Sequence, residues 1–172
     1  QWLSQLEPSL GSDAEYWGHR LRAAVACGDW ESVLKASRER SRRVPQDAAA
    51  ARQLVASLLL LNPLDPALPE LSRQSVSMAP QHGEAQLNFV RVLLAQGRVN
   101  EALARYALIV EGTGDAELDA LRTAVGFELA CARKDDREAL AQWAALDQGI
   151  LPGPYLERLL PLHRQRALRA RP

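Results

Sequence analysis

The residues that could carry metal or acid–base chemistry are scattered along this chain. The histidines are His19, His82 and His163, and none forms a His-x3-His or Cys-x2-Cys pair with the spacing of metal ligands. The sequence also has no Gly-x-Ser-x-Gly nucleophile elbow, no phosphate-binding glycine loop and no dinucleotide-binding fingerprint. We therefore predict that the segment is not an enzyme and that it has no catalytic residue, no metal site and no cofactor.

The two cysteines and the carboxylates have simpler interpretations. Cys27 and Cys131 fall in segments expected at opposite ends of the molecule, which predicts two separate thiols in apolar surroundings and no disulfide. Carboxylates such as Asp135, Asp136 and Glu138 lie in predicted turns and on polar faces, where solvation explains them.

Basic side chains cluster at residues 38–43 and 164–171. The first cluster includes Glu39 and ends a predicted helix, where positive charge interacts favourably with the helix dipole. The second belongs to a basic last helix that we expect to be solvated, with contact to a membrane surface or nucleic acid as the alternative. The formal net charge of the chain is zero, which argues against nucleic acid as the main partner.

The bulk composition is that of an ordinary globular chain. Apolar residues make up 47% of the 172 positions and charged residues 24%. The longest nearly apolar run, residues 54–61, is far shorter than the ~20 residues of a membrane-spanning helix. The first residue is Gln1, so we expect a segment of a longer protein, and nothing in the sequence indicates its compartment.

Apolar residues recur at helical spacing along most of the chain. Trp17, Leu21, Ala24 and Val25 form one stripe with the spacing of a core face, and no segment shows the alternation of a half-buried strand over a useful length. This pattern predicts an all-α chain of about nine helices.

Two polar sequences predict where helices begin. Residues 12–15, Ser-Asp-Ala-Glu, match a capping box in which Ser12 accepts a hydrogen bond from the first turn. Asp65 followed by Pro66 matches a helix N-cap with proline at the first helical position.

The turns between helices recur at one period. Pro45, Pro80 and Gly114 end successive units at intervals of 35 and 34 residues. The inner turns recur at the same two intervals, at Gly28, Pro63 and Gly97. Two independent sets of markers at one period indicate a repeat architecture, in which each hairpin buries its apolar face against its neighbours.

The best-formed unit resembles the tetratricopeptide repeat. Gly97, Ala102 and Tyr106 match the turn glycine, the small residue and the aromatic residue of that family. The resemblance covers about residues 14–149 and implies a right-handed α-solenoid of about four helix-turn-helix hairpins plus a C-terminal helix. The predicted single domain, 1–172, comprises an N-terminal extension (1–11), four repeats (12–45, 46–80, 81–114 and 115–150) and a terminal helix (154–172).

The other units diverge from this pattern. Val33 and Ser37 replace the small and aromatic residues of the first unit, and the bulky Phe127 faces Ala139 in the fourth. We therefore expect an irregular stack.

The resemblance also implies where a partner would bind, because in this family the first helix of each pair lines a concave groove. In the leucine run at residues 58–61, Leu58 and Leu59 are expected to face the neighbouring helices, and Leu60 and Leu61 to point toward the concave side. The implied groove residues are Arg22, Gln53, Ser57, Leu60, Leu61, Leu87, Arg91 and Leu94, with Glu128 at the corresponding position of the fourth unit. Arg22 and Arg91 stand where one subset of the family has asparagines that clamp a C-terminal carboxylate, which argues against binding of chaperone C-termini.

These observations predict a non-catalytic scaffold that binds a peptide or helix of a protein partner in the groove. Arginines around an apolar centre suit a segment with leucine-type anchors and a carboxylate. The alternative is a structural spacer or self-association module of a larger, membrane-linked or enzymatic protein. For Leu60 and Leu61 we expect cover by a ligand, by the chain's own ends through Trp2, Leu3 and Leu6, or by a second copy.

Overall fold

The computed structural model describes residues 13–109 and 114–148. The predicted N-terminal extension and terminal helix lie outside these ranges. The described residues form helices and turns with no strand, so the all-α prediction is confirmed for them. The helices are α1 (Ala14–Ala26), α2 (Trp30–Arg43), α3 (Ala48–Leu61), α4 (Leu68–Met78), α5 (Gly83–Ala95), α6 (Val99–Tyr106), α7 (Ala116–Arg133) and α8 (Asp136–Gln148).

The chain divides into two compact units, Gln1–Met78 and Ala79–Pro172, called unit 1 and unit 2 below. In unit 1 each helix packs against the next, from α1 to α4. In unit 2, α5 pairs with α6, α7 pairs with α8, and α7 also packs against both α5 and α6. The predicted helix-turn-helix repeats are confirmed, and this packing of adjacent helices is that of a helical-repeat protein. The single continuous domain stays a prediction.

Glycines with a left-handed backbone make three of the turns. Gly28, Gly97 and Gly114 have φ angles of 65°, 74° and 78°, a region that glycine enters without steric cost. Gly28 and Gly97 close α1 and α5, at the inner turns that the repeat period predicted. Lys134 ends α7 with φ 58°, the only non-glycine residue of the described ranges in this conformation.

Aspartate side chains start five of the helices by accepting a hydrogen bond from a backbone N–H of the first turn. They are Asp13, Asp29, Asp47, Asp115 and Asp135, with N···O distances of 2.8 to 3.2 Å. The prediction of Ser12 as the cap of α1 was wrong, because Asp13 occupies that position. The predicted start of the fourth helix at Pro66 was also wrong. Asp65 Oδ1 accepts from Ala67 N at 3.0 Å within a turn, and α4 begins at Leu68.

The predicted core stripes are buried. Trp17, Leu21 and Ala24 of α1 pack in one cluster with Val33 and Ala36 of α2. The cores of unit 2 join α5, α6 and α7 around the fully buried Leu87, Val90, Ala102 and Val125, and join α7 and α8 around Phe127 and Ala139. The predicted contact between bulky Phe127 and small Ala139 is therefore present.

Candidate functional site

The structure separates the predicted groove residues of unit 1 into exposed and buried positions. Arg22 on α1 is exposed, Gln53 on α3 is partly buried, and Leu60 and Leu61 at the end of α3 are half-buried. Ser57 is fully buried, and its hydroxyl lies 3.0 Å from that of Ser37 on α2. The surface position predicted for Ser57 was wrong, because this face of α3 packs against α2.

In unit 2 the predicted groove residues hold the helices together. Leu87 is fully buried in the core between α5 and α7, so its predicted surface position was wrong. Leu94 is half-buried and packs against the same core. Arg91 donates from Nε to Glu128 Oε2 at 3.2 Å, with 10% and 15% of the two side chains exposed. The carboxylate that Arg91 binds therefore belongs to α7 of its own unit.

A cleft in unit 1 has the size of a ligand site. It measures about 420 Å³, within the range of about 300–1,000 Å³ usual for such sites. The cleft lies between α1 and the connection from α2 to α3, and we call it the Arg22 cleft. Its lining residues are Ala14, Glu15, Gly18, His19, Arg22, Arg40, Val44 and Asp47.

The inner wall of the Arg22 cleft is a fixed polar network around Arg40. Its guanidinium donates to Asp47 Oδ2 at 2.9 Å and to Gln53 Oε1 at 2.6 Å. Asp47 Oδ1 also caps α3 through Ala49 N at 2.8 Å. Gly18 lies beside this guanidinium, and a Cβ at position 18 would be in ordinary van der Waals contact with Arg40 Nε, at 3.8 Å. The positive charge of Arg40 and the negative charge of Asp47 therefore neutralise each other.

Arg22, the second arginine of the cleft, has a histidine rather than a carboxylate as its partner. Its Nη2 lies 3.0 Å from His19 Nδ1, and both side chains belong to exposed residues of α1. Because a guanidinium only donates, Nδ1 is the acceptor of this hydrogen bond. Within residues 13–109 and 114–148 no carboxylate pairs with Arg22. A carboxylate from outside could therefore replace the imidazole as its partner.

Reasoning from the sequence missed Arg40, Asp47 and His19 as cleft residues. Arg40 belongs to the basic run that was interpreted as positive charge at a helix end, interacting with the helix dipole. In the structure that run is compensated locally: Arg38 pairs with Asp65 at 3.1 Å, Arg40 with Asp47, and Arg42 and Arg43 with Glu39. The spacing of Arg40 and Asp47, seven residues apart across a helix end, was the signal that could have identified the pair.

The pKa shifts lie at helix ends rather than in the cleft. The hydrogen bond from Arg43 lowers the pKa of Glu39, and the hydrogen bond from Arg98 lowers the pKa of Glu101. Hydrogen bonds from Ser32 lower the pKa of Asp29, the cap of α2. These shifts accompany local ion pairs and caps, which are structural features.

The remaining candidate groups are isolated. Cys27 is exposed at the end of α1, so its predicted apolar surroundings were wrong, whereas Cys131 is half-buried against the core of α7 and α8. The two do not form a disulfide, as predicted. Among the described side chains, no three of His, Cys, Asp and Glu are grouped so that they could hold a metal ion. None of the described helices is both long and apolar enough to cross a membrane.

Comparison with known proteins agrees with the repeat architecture. The family model for the tetratricopeptide repeat matches residues 67–125, which include α4, α5, α6 and the first half of α7. A search of curated protein sequences finds no match to the chain. Tetratricopeptide repeats generally mediate protein–protein interactions and are typically non-catalytic scaffolds. The matched segment and the sequential helical hairpins support the resemblance to the tetratricopeptide repeat over residues 67–125.

Proposed function

We propose that this chain is a non-catalytic protein-interaction scaffold and that the Arg22 cleft binds an acidic segment of a partner protein. The observation that carries the proposal is the state of Arg22. It is an exposed guanidinium at a cleft of ligand size, and it is hydrogen-bonded to the imidazole of His19 rather than to a carboxylate. If a carboxylate of a bound partner displaced His19 from Arg22, the guanidinium would form charge-assisted hydrogen bonds, which can be bidentate.

The other side chains of the cleft favour a peptide over an isolated anion. The Arg40–Asp47 pair is internally neutral and supplies a polar wall. Glu15 lines the same cleft and can accept N–H groups from the backbone of a bound segment. A segment that places a carboxylate on Arg22 and a backbone N–H on Glu15 would satisfy both groups.

Apolar contacts for the same segment are proposed at the end of α3. Leu60 follows Gln53 by seven residues, which places both on one face of the helix. Gln53 Oε1 is bound to Arg40 of the cleft wall, and Leu60 and its neighbour Leu61 are half-buried. The proposed site therefore keeps Arg22, Gln53, Leu60 and Leu61 of the predicted groove and leaves out Arg91, whose partner is Glu128.

Selection from a random peptide library displayed on phage tests the proposal. We expect peptides that contain Asp or Glu to be enriched by binding to the chain. Arg22→Gln should lower the affinity for the selected peptides by about 10- to 100-fold, as for loss of a charged hydrogen bond. Arg42→Gln is the matched control, because Arg42 is a 72% exposed arginine of the same unit that lies outside the cleft.

Equal affinity of wild type and Arg22→Gln for every selected peptide would rule out the Arg22 cleft as the site. Light scattering on the same samples addresses the alternative function. A tight dimer at all concentrations, combined with no peptide enrichment, would favour the self-association module.

A further inference from the structure

A second cleft lies in unit 2, and none of the predicted groove residues lines it. It measures about 270 Å³ and is formed by the residues before and within the first turns of α5, the end of α6 and the start of α7. We call it the Leu108 cleft. Its lining residues are Pro80, Gln81, Gly83, Gln86, Arg105, Leu108, Ile109 and Leu118.

The apolar part of this cleft is held in place by close packing of α7 on α5. A Cβ at Gly83 would lie 2.6 Å from Leu118 Cδ2, so a larger residue there would displace the leucine side chain from its present position. Leu118 and Ile109 are half-buried against the core of unit 2. Leu108 beside them is 75% exposed, one of two exposed large apolar side chains in the described part of the chain.

Arg105 gives the cleft a positive charge. Among the described residues it is the only charged one that lines the cleft, and its guanidinium carbon lies 5.3 Å from the centre of the Phe89 ring. This contact fixes the side chain without neutralising it. Over the two described ranges no carboxylate forms an ion pair with Arg105. An anionic group of a ligand would therefore complement the charge of the cleft.

Gln86 supplies an unsatisfied acceptor. Its Nε2 donates to the backbone oxygen of Pro80 at 2.7 Å, which fixes the orientation of the amide. Its Oε1 is then buried and receives no hydrogen bond from the described residues. A buried acceptor without a donor is destabilising, and an N–H group from an occupant of the cleft would relieve this cost.

We propose that the Leu108 cleft binds a short peptide segment in which an aliphatic side chain is adjacent to an aspartate or glutamate. The aliphatic side chain packs on Leu108, Ile109 and Leu118, the carboxylate pairs with Arg105, and a backbone N–H donates to Gln86 Oε1. This inference goes beyond the proposed function, because it assigns a second binding surface, on other helices and in the other unit.

Nuclear magnetic resonance titration with two panels of capped tripeptides tests this proposal. One panel combines Leu with Asp and Glu, and the other replaces the acids by Asn and Gln. We expect the acidic panel to shift the side-chain amide of Gln86 and the backbone amides of residues 105–109 and 118. The dissociation constant should rise about tenfold or more in Arg105→Gln, as for loss of a charged hydrogen bond.

Matched variants separate the cleft from general effects of charge and exposure. Leu108→Ser should also weaken binding, whereas Leu64→Ser should not, because Leu64 is a 79% exposed leucine of unit 1. Arg98→Gln removes an exposed arginine at the start of α6 that pairs with Glu101, and it should leave binding unchanged.

Equal shifts from both panels, shifts confined to other residues, or no shift at the solubility limit of the peptides would each overturn the proposal. Arg22→Gln should leave these shifts unchanged. A failure of the Leu108 cleft is therefore distinguishable from a failure of the Arg22 cleft.

Discussion

Replacing Gly126 by alanine should destabilise unit 2, although alanine is the better helix former. Gly126 is buried in α7, where the hydroxyl of Tyr106 approaches from α6. A Cβ at position 126 would lie 2.8 Å from Tyr106 Oη and 3.2 Å from Gln142 Cδ. Gln142 can shift, because it is a flexible side chain of α8. The tyrosine hydroxyl is held by a hydrogen bond of 3.1 Å to the backbone oxygen of Arg122.

The expected magnitude follows from three opposing contributions. Removing glycine from a helix interior stabilises by about 1 kcal/mol. Overpacking of a core costs about 1–3 kcal/mol, and loss of the Tyr106 hydrogen bond costs about 0.5–1.5 kcal/mol. The net effect of Gly126→Ala is therefore a destabilisation of about 0.5–3.5 kcal/mol.

A double-mutant cycle with Tyr106→Phe isolates the cause. Without the hydroxyl, the added methyl group loses its main obstacle, so Gly126→Ala should become neutral or stabilising by up to about 1 kcal/mol. The free energies of unfolding of the four proteins can be measured by urea denaturation with far-ultraviolet circular dichroism. Equal effects of Gly126→Ala in both backgrounds, within about 0.5 kcal/mol, would refute the reasoning.

Two further predictions concern ion pairs. Arg91→Met should destabilise unit 2 by about 2–4 kcal/mol in urea denaturation, because Glu128 loses its guanidinium partner in a largely buried position. Adding Glu128→Gln to this variant should recover part of the lost stability. In the folded protein the pKa of Glu39 is below its ordinary value of 4.5, because Arg43 donates a hydrogen bond to its carboxylate. The contribution of Glu39 to stability is therefore present above about pH 4.5 and is lost as the pH falls through the lowered pKa. Glu39→Gln should therefore lower the urea midpoint at neutral pH and flatten its decline in acid, and an unchanged acid decline would contradict this assignment.

The helices and their turns could be predicted because local chemistry determines them. Helical spacing identified the buried stripe of Trp17, Leu21 and Ala24, and the turn period identified Gly28 and Gly97, which adopt the left-handed backbone that glycine permits. The start of α4 could not be predicted from Asp65 and Pro66. Asp65 closes a turn and also pairs with Arg38 of α2, a tertiary contact that the local sequence does not contain.

The surface positions were less predictable, because they depend on which face of a helix its neighbours cover. Assignment of Ser57 and Leu87 to an open groove assumed the regular packing of the family. In this chain Ser57 contacts Ser37 and Leu87 lies in the core of unit 2. The packing around Gly126 was also not predicted. The repeat pattern singled out the bulky Phe127, but the small residue that makes room for an aromatic side chain is its neighbour Gly126, which faces the Tyr106 hydroxyl.

The most direct test of the proposed function is a crystal structure of the chain with an acidic peptide selected from the library. We predict that a peptide carboxylate lies within hydrogen-bond distance of the Arg22 guanidinium, between α1 and the connection from α2 to α3, and that His19 no longer accepts from Arg22. A peptide bound on another surface, with the Arg22–His19 hydrogen bond intact, would contradict the assignment of the Arg22 cleft as the binding site.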